Sequence, residues 1–435
     1  MKTIYNPSRE SWADLTRRPA FDTTRLFGIV QPVLQSVRER GDAALREYEL
    51  KFDHVSLTDL AVSDSEMQEA DALVPEALKK ALHEAYHNIY AFHERQRFSP
   101  IVVETAPGVR CEQRAVPIER VGLYIPGGTA PLLSTVLMLA VPARIAGCTT
   151  VVLCSPPSSE GKINPAILYT AKLCGVTRCY KLGGAQAIAA MAAGTETVPK
   201  VHKIFGPGNQ YVMAAKQLAA LSDVAIDMPA GPSEVEVLAD ESANLSFVAA
   251  DLLSQAEHGA DSQVVLVTTD RRMAEDITAE TERQLAMLPR RDIASRALEN
   301  SKIIFFDSPD DAMDFTNAYA PEHLILAVRN YREAADKVRN AGSVFLGNYS
   351  SESAGDYASG TNHTLPTRAY ATAYSGLNLD AFIRKMTLQE LTPEGVRSIA
   401  HTVEAMAAAE QLDAHRNAMK IRREAVEKAS AKETV

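Results

Sequence analysis

The stretch VGLYIPGGTAPLLSTVLMLAVPARIAGC, residues 121–148, joins a short apolar run to a longer run with helical character through a turn rich in glycine and proline. The same alternation continues to residue 235. Further strand candidates there are VVLCS, CYKL, KIF and AID, and further helix candidates are AILYTAKLCG, AQAIAAMAAG and NQYVMAAKQLAAL. Strands that alternate with helices in this way predict βαβ units and a parallel sheet.

A second region of the same kind runs from residue 263 to residue 347. Its strand candidates are QVVLVTT, KIIFF, HLILA and SVFLG, with helical segments between them. Helical patterns also cover residues 23–52, interrupted by Pro32 and Gly41, residues 74–98, and all of the chain from Asp380 onward. The two alternating regions therefore predict two α/β lobes rather than one.

These patterns predict an α/β protein in which one lobe is inserted between the helical and the sheet parts of the other, with a helical tail. The predicted boundaries are residues 1–22 for an N-terminal arm, 23–122 with 236–379 for one α/β domain, 123–235 for the inserted α/β domain, and 380–435 for the C-terminal tail. The arm itself shows little pattern from which a role could be predicted.

The composition is that of an ordinary globular protein. The 435 residues are 46% hydrophobic and 23% charged, and a net charge of −10 without a basic run argues against nucleic acid as a partner. The N-terminus lacks the apolar core of a signal peptide, and no window approaches the roughly 18 apolar residues of a membrane span. The five cysteines form no CxxC pair, which suits reduced thiols. We expect a cytoplasmic protein that binds neither nucleic acid nor membranes.

The segment HEAYHNIYAFH, residues 83–93, begins with the H-E-x-x-H signature of zinc peptidases. The extended signature needs a glycine so that a third histidine can turn back, but Tyr90 stands there and the helical pattern continues. At about 100° per residue, His93 lies roughly 120° around the helix from His87. We interpret the match as a coincidence on a surface helix, and a zinc peptidase is the rival hypothesis.

Two pairs of polar residues mark places where chemistry could be concentrated. Gln255 and His258 are three apart in LLSQAEHGADSQV, so both side chains share a helix face and could meet one ion, although glutamine is an unusual ligand. Glu322 and His323 stand just before an apolar strand-like run in YAPEHLILA. An acid and an imidazole at a strand mouth suit acid–base catalysis, and capping of a loop is the structural alternative.

Further polar candidates lie towards the C-terminus. SESAGDYASGTNHTLPT holds Asp356 and His363 in a segment without helical or strand period. A segment so dense in glycine, serine, threonine and asparagine is either an exposed linker or a site held by backbone turns. In AAAEQLDAHRNAM, Glu410 and His415 are five apart on one helix and point in different directions, and each alone is typical of a solvated surface.

Three glycine-rich turns follow predicted strands: IPGGTAP at 125–131, LGGAQA at 182–187 and FGPGNQ at 205–210. Turns that lead from a strand into a helix can hold phosphates on backbone N–H groups. None of the three has the G-x-G-x-x-G pattern of the usual dinucleotide site. Taken alone, they are compatible with a nucleotide site or an anion site.

The quoted motifs together resemble the histidinol dehydrogenase family. They are VGLYIPGGTAPLLSTVLMLAVPARIAGC, FGPGNQYV, AIDMPAGPSEV, DLLSQAEHG, APEHLI, AGSVFLG and ESAGDYASGTNHTLPT, in the family's order. The likeness extends from about residue 25 to residue 420. Seven long segments in order are far more specific than any single short signature.

The resemblance implies an NAD-dependent, four-electron oxidation of L-histidinol to L-histidine through a bound aldehyde, the last step of histidine biosynthesis. It also implies incomplete Rossmann-like lobes and a zinc-dependent homodimer whose C-terminal segment reaches the partner's active site. The implied acid–base pair is Glu322 and His323. The implied zinc ligands are Gln255, His258, Asp356 and His415, the NAD contacts are Tyr124, Gln186 and Asn209, and the substrate contacts are Ser233, Gln255, His258, His323, Asp356, Glu410 and His415.

On this interpretation zinc mainly orients the substrate against the nicotinamide, His323 takes the proton as hydride leaves, and Glu322 activates water for the second oxidation. One alternative is a relative that keeps the fold but oxidises another amino alcohol. A binding protein without catalysis is disfavoured because both Glu322 and His323 are present.

Overall fold

The computed structural model describes residues 1–18, 23–127, 131–221, 223–228 and 231–433. The chain divides into two compact units: Met1–Gln96 with Ile118–Phe382, and Arg97–Pro117 with Ile383–Val435. Within the described ranges, no helix is both long and apolar enough to cross a membrane. The candidate site residues fall in both units, so each unit is described by itself.

The first unit contains two separate parallel sheets. The larger sheet, sheet A, consists of β1 (Lys2–Tyr5), β9 (Glu234–Ala239), β10 (Gln263–Thr268), β11 (Lys302–Phe305), β12 (His323–Ala327) and β13 (Ser343–Leu346). Its strand order is β1-β11-β10-β9-β12-β13, and every neighbouring pair is parallel. Strands β9 and β12, which carry the candidate acid–base pair and its surroundings, therefore lie side by side near the centre.

The smaller parallel sheet, sheet B, lies in the predicted inserted lobe. It consists of β4 (Arg120–Tyr124), β5 (Thr150–Ser155), β6 (Arg178–Lys181), β7 (Lys203–Phe205) and β8 (Ala225–Ile226), in the order β6-β5-β4-β7-β8. The chain winds from β4 towards β6 and then returns to β7, so the winding direction reverses between β4 and β7. Ligands of open parallel sheets bind at such a reversal, beyond the carboxyl ends of the strands.

Helices cover both faces of both sheets, which explains why most of the strands are buried throughout. Around sheet B lie α2 (Thr23–Arg40), α3 (Asp42–Tyr48), α8 (Gly184–Ala193) and α9 (Gln210–Ala220) on one face, and α4 (Asp64–Leu73), α5 (Glu76–Glu94), α6 (Leu133–Ala146) and α7 (Pro165–Cys174) on the other. Around sheet A lie α10 (Leu245–Ala256), α11 (Arg271–Leu285) and α12 (Arg291–Glu299) on one face, and α1 (Trp12–Leu15), α13 (Pro309–Tyr319) and α14 (Tyr331–Lys337) on the other. A short helix, α15 (Glu352–Tyr357), follows β13.

The second unit is an antiparallel sheet with two helices. Its strands are β2 (Ile101–Ala106), β3 (Val109–Pro117) and β14 (Ile383–Leu391), in the order β14-β3-β2, and its helices are α16 (Pro393–Ala409) and α17 (Asp413–Glu433). Arg423 of α17 forms an ion pair with Glu404 of α16 at 2.8 Å, and this pair ties the two helices together.

The predicted α/β class, with two lobes built on parallel sheets, is confirmed. Both parallel sheets fall within the first unit, and the predicted domain boundaries stay predictions. The predicted helical tail is confirmed for α16 and α17, but Ile383–Leu391, which was expected to be helical as well, forms β14 along the full length of β3. Pro32 does not interrupt its helix either, whereas Gly41 does so through a positive φ of 54°. Strands β1, β2, β3 and β9 were not anticipated either.

A buried ion pair holds the turn that follows β7. Lys216 Nζ lies 2.5 Å from Asp227 Oδ1 and also donates to the Gly206 carbonyl at 2.8 Å, while Asp227 Oδ2 accepts from the Gly206 N–H. Both charged side chains are almost completely buried. The pair therefore links α9, the end of β8 and a turn at the rim of the candidate cavity.

We predict that Lys216→Met lowers the free energy of unfolding by about 3–5 kcal/mol, because it leaves the Asp227 carboxylate buried without its partner. Urea denaturation monitored by circular dichroism measures the change. Lys162→Met is the matched control: its ion pair with Glu69 is about half exposed, so the loss should stay below about 1 kcal/mol. Equal losses in the two variants would contradict the prediction.

Candidate active site

Glu322 and His323 lie at the start of β12, where the main chain of β9 holds both. The Glu234 N–H donates to Glu322 Oε2 at 2.8 Å, and the Glu234 carbonyl oxygen lies 3.1 Å from His323 Nδ1. A carbonyl oxygen can only accept, so Nδ1 carries a proton, and Nε2 lies 3.5 Å from Asp356 Oδ1. Both side chains are buried, and the His323 ring stacks on Phe345. The structure thus brings the predicted pair together in a fixed geometry.

Burial and neighbouring charges shift the titration of this pair. Burial raises the pKa of Glu322 to about 8, in spite of the attraction of His323. Burial alone would lower the pKa of His323, but the carboxyl groups of Glu352, Glu322 and Asp356 outweigh it and raise that pKa to about 10. A cation among these carboxyl groups would weaken their attraction for the imidazole proton and so lower the pKa of His323.

Side chains of the kinds that bind metal ions surround the carboxyl end of α10, and we call them metal-type donors. Gln255 lies in the last turn of this helix, and His258 follows just beyond it. A ring nitrogen of His258 and one oxygen from each of Glu352 and Asp356 lie within 4.8 Å of one another. The carboxyl end of a helix carries partial negative charge, which adds to the attraction of this place for a cation.

Buried polar atoms without a hydrogen-bond partner concentrate at this group. Among the described residues they include both amide atoms of Gln255, both carboxyl oxygens of Glu352, Oδ1 of Asp356 and Nε2 of His323. An unsatisfied buried group typically costs about 1–3 kcal/mol, so native proteins rarely keep several together. Oxygen and imidazole donors aimed at one place fit a metal ion such as Zn²⁺.

A cavity of about 510 Å³ connects these residues with the inserted lobe. On the side of sheet A it is lined by Ser233, just before β9, and by Glu322 and His323 at the amino end of β12, together with Gln255, His258, Asp356 and His363. From sheet B it is lined by Pro126 after β4 and by Gly206 to Asn209 after β7. The amino edge of one sheet thus faces the carboxyl edge of the other across a cavity of ligand size.

The three residues predicted to contact NAD all lie at the carboxyl edge of sheet B. Asn209 lines the cavity and caps α9, with its Oδ1 accepting from the N–H groups of Tyr211 and Val212. Tyr124 ends β4, and its hydroxyl accepts from the Gly184 N–H at 3.1 Å.

Gln186, in the first turn of α8, donates to Glu49 Oε1 at 2.9 Å and to Asp53 Oδ2 at 3.2 Å. The backbone here is tightly packed, since a Cβ on Gly206 would lie 2.2 Å from the Tyr124 carbonyl oxygen. Of the turn at 125–131, residues 128–130 lie outside the described residues.

Glu410 and His415 belong to the second unit. Glu410 is the residue at the carboxyl end of α16, and His415 lies in the first turn of α17. Both side chains are exposed in the single chain. Their predicted roles therefore have no support from contacts within one copy of the protein.

The HEAYH segment lies on α5 as predicted. His83, Glu84 and His87 are exposed, and His83 Nε2 lies 3.1 Å from the Tyr169 hydroxyl. His93 is buried, its Nδ1 donates to the Ile89 carbonyl oxygen at 2.8 Å, and its Nε2 lies 3.3 Å from Asn362 Nδ2. The only group of metal-type donors among the described histidine, cysteine and acidic residues is the one at His258, so this helix has no zinc-peptidase geometry.

Several residues of the site were missed in the sequence. Glu352 stands four residues before Asp356, a spacing that places both on one face of α15, but the segment shows too little apolar period to predict a helix. Glu234 holds the candidate acid–base pair through its main chain, which no side-chain pattern reveals. His363, noted without a role, donates from Nδ1 to the Asp356 carbonyl oxygen at 3.0 Å, and its Nε2 lies 3.4 Å from the Thr135 hydroxyl at the cavity.

Known proteins match this chain over almost its whole length. The family profile described as histidinol dehydrogenase matches residues 16–423. The histidinol dehydrogenase of Bacteroides thetaiotaomicron is 61% identical over 422 residues, which are 97% of this chain and 99% of that protein. The histidinol dehydrogenase of Bacteroides fragilis is 59% identical over 98% of this chain and 100% of that protein.

A solved structure agrees with the sequences. The crystal structure of histidinol dehydrogenase from Elizabethkingia anophelis, 54% identical, covers 98% of this chain and 99% of its own with a TM-score of 0.96. The fold, the order of the motifs and these similarities lead to one conclusion: the chain belongs to the histidinol dehydrogenase family of oxidoreductases.

Proposed function

We propose that this protein oxidises L-histidinol to L-histidine with two NAD⁺ in succession, the last step of histidine biosynthesis. One observation carries the proposal: a buried glutamate–histidine pair lies in the same cavity as a group of unsatisfied metal-type donors. The pair suits proton transfer, and the donors suit a metal that holds an imidazole-bearing amino alcohol. Membership in the family supports this substrate.

Zinc is the metal that we propose for the site. Gln255, His258 and Asp356 would hold it, together with His415 from a second copy of the chain. Glu352 adds a carboxyl group within 4.8 Å of the donor atoms of His258 and Asp356. When bound, Zn²⁺ supplies a fixed positive charge that orients the substrate and offsets negative charge in the transition state.

NAD⁺ is the proposed oxidant, placed along the carboxyl edge of sheet B by Tyr124, Gln186 and Asn209. Asn209 supports this placement because it caps the amino end of α9 at the cavity, and amino ends of helices favour phosphate groups. When bound, NAD⁺ supplies the acceptor for each hydride. Across the cavity, the amino edge of sheet A offers the acid–base pair.

The chain's own residues manage the protons and the water. In the first step His323 Nε2 takes the hydroxyl proton as hydride leaves the alcohol carbon, which gives the aldehyde. In the second step Glu322 takes a proton from the water that attacks this aldehyde, and the resulting hydrate loses the second hydride. The sum is histidinol, water and two NAD⁺ converted to histidine, two NADH and three protons. The hydrogen bond from His323 Nδ1 to the Glu234 carbonyl oxygen fixes the orientation of the ring, so that Nε2 would face the substrate hydroxyl.

The proposed protein is a homodimer that shares its active sites. Ser233, which lines the cavity, would contact the substrate directly. Glu410 and His415 would reach the substrate and the metal in the second copy, which explains exposed polar residues of metal-binding and substrate-binding type on the second unit. We also propose a cytoplasmic location, in which the five free cysteines would stay reduced.

A related dehydrogenase for another amino alcohol is the second candidate. The cavity of about 510 Å³ would accept substrates of other sizes, so shape alone does not select histidinol. The imidazole of histidinol is favoured because the site offers a metal-type donor group that a nitrogen ligand could complete. Counting NADH formed per histidinol consumed separates the candidates: two supports histidinol, and no turnover by zinc-loaded protein refutes it.

We predict that His323→Ala slows both oxidations, by about 10²–10⁴-fold in kcat, because each oxidation step removes a proton from the substrate near His323. Glu322→Ala should slow oxidation of the aldehyde much more than oxidation of the alcohol, since only the aldehyde step needs activated water. Single-turnover NADH formation from histidinol and from histidinaldehyde measures the two steps separately. Equal losses in both steps for Glu322→Ala would contradict the division between the two residues.

The metal site gives a prediction with a readout that needs no catalysis. His258→Ala should lower the zinc content measured by atomic absorption after dialysis, because it removes a donor from the group around α10. His83→Ala and His87→Ala are matched controls, exposed histidines on α5 whose loss should leave both zinc content and turnover unchanged. Zinc lost with the α5 variants and kept in His258→Ala would favour the peptidase hypothesis instead.

Sharing of sites between subunits predicts complementation. His415→Ala and His258→Ala should each have little activity as homodimers, because each removes one proposed zinc ligand from every site. A verified heterodimer of the two contains one site with both ligands intact, so it should recover up to about half of the normal activity per dimer. Two differently tagged chains purified together provide the sample, and heterodimers without any recovery would refute shared sites.

A further inference from the structure

The N-terminal arm contributes a buried charge to the support of the catalytic pair. Arg18 is held beside Glu234, with Nε donating to Oε1 at 3.1 Å and Nη2 donating to Oε2 at 2.8 Å. Both side chains are more than nine-tenths buried. Two parallel hydrogen bonds from a guanidinium group fix the orientation of a carboxylate as well as its position.

Glu234 is the residue whose main chain holds Glu322 and His323. Its N–H donates to Glu322 and its carbonyl accepts from His323, while its side chain is clamped by Arg18 and by the Arg368 N–H at 2.7 Å. Rotation of the Glu234 backbone would move both hydrogen bonds together. The side-chain clamp therefore restrains the two groups that carry the proposed chemistry.

Arg18 also holds the segment that leads into β12. Its Nη2 donates to the Tyr319 carbonyl at 2.6 Å, and its guanidinium lies 3.7 Å from the centre of the Tyr319 ring. Tyr319 ends α13, and the next residue, Ala320, has a left-handed backbone with φ 50°. A positive charge at the carboxyl end of a helix satisfies its last carbonyls. One side chain thus restrains both segments that meet at Glu322 and His323.

We propose that Arg18 is a positioning residue for the dehydrogenase reaction, acting on Glu322 and His323 through Glu234 and through the turn at Tyr319 and Ala320. The kinetic test of this inference rests on the proposed function. The contacts of Arg18 from which it is argued do not depend on that function. The N-terminal arm then serves the active site in addition to extending sheet A. Lysine cannot replace Arg18 fully, because an ammonium group lacks the planar fork that reaches both carboxylate oxygens.

The first experiment compares Arg18→Met with Arg9→Met. Arg9 lies on the same arm and pairs with Asp311 and Asp314 of α13, but these groups are exposed. We expect kcat for histidinol to fall by about 100-fold in Arg18→Met, with the KM values for histidinol and NAD⁺ and the zinc content unchanged, because small displacements of reacting groups act on kcat. Arg9→Met should keep its kcat. Normal kcat in folded Arg18→Met, or a loss confined to KM, overturns the proposal.

Two further variants separate positioning from general stability. Arg18→Lys keeps the buried positive charge, and its kcat should fall by about tenfold, an intermediate loss. This variant replaces Arg18→Met in the test if thermal unfolding shows that Arg18→Met does not fold. The double variant Arg18→Met/Glu234→Gln should lose no more kcat than Arg18→Met, because the two residues act as one unit and the single variant leaves Glu234 unpaired. Losses that multiply would show that Arg18 does not act through Glu234.

A measurement without substrate distinguishes failure of this inference from failure of the proposed function. The Nδ1–H of His323 should give a downfield proton resonance, assigned by its disappearance in His323→Gln, because its hydrogen bond to Glu234 slows exchange with water. Arg18→Met should broaden or abolish this resonance, and Arg9→Met should leave it intact. If the unchanged protein does not oxidise histidinol, the proposed function fails. The comparison of resonances still tests whether Arg18 holds His323 in position. An unchanged resonance in Arg18→Met overturns the inference.

Discussion

The two hydrogen bonds that the main chain of Glu234 makes to Glu322 and His323 are the constraint on which the site depends. They exist because β9 and β12 are parallel neighbours with His323 paired against Val235. A slip of one residue in this pairing would turn every side chain of β12 to the opposite face. The register of the central sheet therefore also fixes the positions of the two groups for which we propose acid–base chemistry.

Two helix ends of opposite partial charge lie at the candidate site. The carboxyl end of α10 carries Gln255 and His258, and its partial negative charge favours a cation. The amino end of α9, capped by Asn209 at the same cavity, favours phosphate groups. Because the amino edge of sheet A faces the carboxyl edge of sheet B, the cavity presents both kinds of helix end to one ligand-sized space. This arrangement explains why the acid–base pair lies at the edge of a parallel sheet that usually has no site.

The site also concentrates ionisable groups that destabilise a folded protein. Glu322, Glu352 and Asp356 are buried around one imidazole, and several of their atoms have no partner within the described chain. Local arrangements that lower stability are expected where a ligand or a reaction requires them. Two other sets of buried charges are paired, Lys216 with Asp227 and Arg18 with Glu234. The concentration of such atoms at one place supports the proposed metal there.

The sequence alone determined the two α/β lobes, since the apolar runs of β4 to β8 and β10 to β13 alternate with helices over short distances. It also marked the pairs Gln255–His258 and Glu322–His323, because i,i+3 spacing and a strand boundary are local features. Strand β9 was missed because buried glutamates at 234 and 236 give EVEVLA a polar appearance. Strands β1 and β14 were missed because each depends on a partner far along the chain, as Lys2 beside Lys302 and Ile383 beside Pro117. Only the tertiary structure decided that Arg18, Glu234 and Glu352 gather around the candidate acid–base pair, because burial and hydrogen bonds between distant segments, and not local propensity, determine their positions.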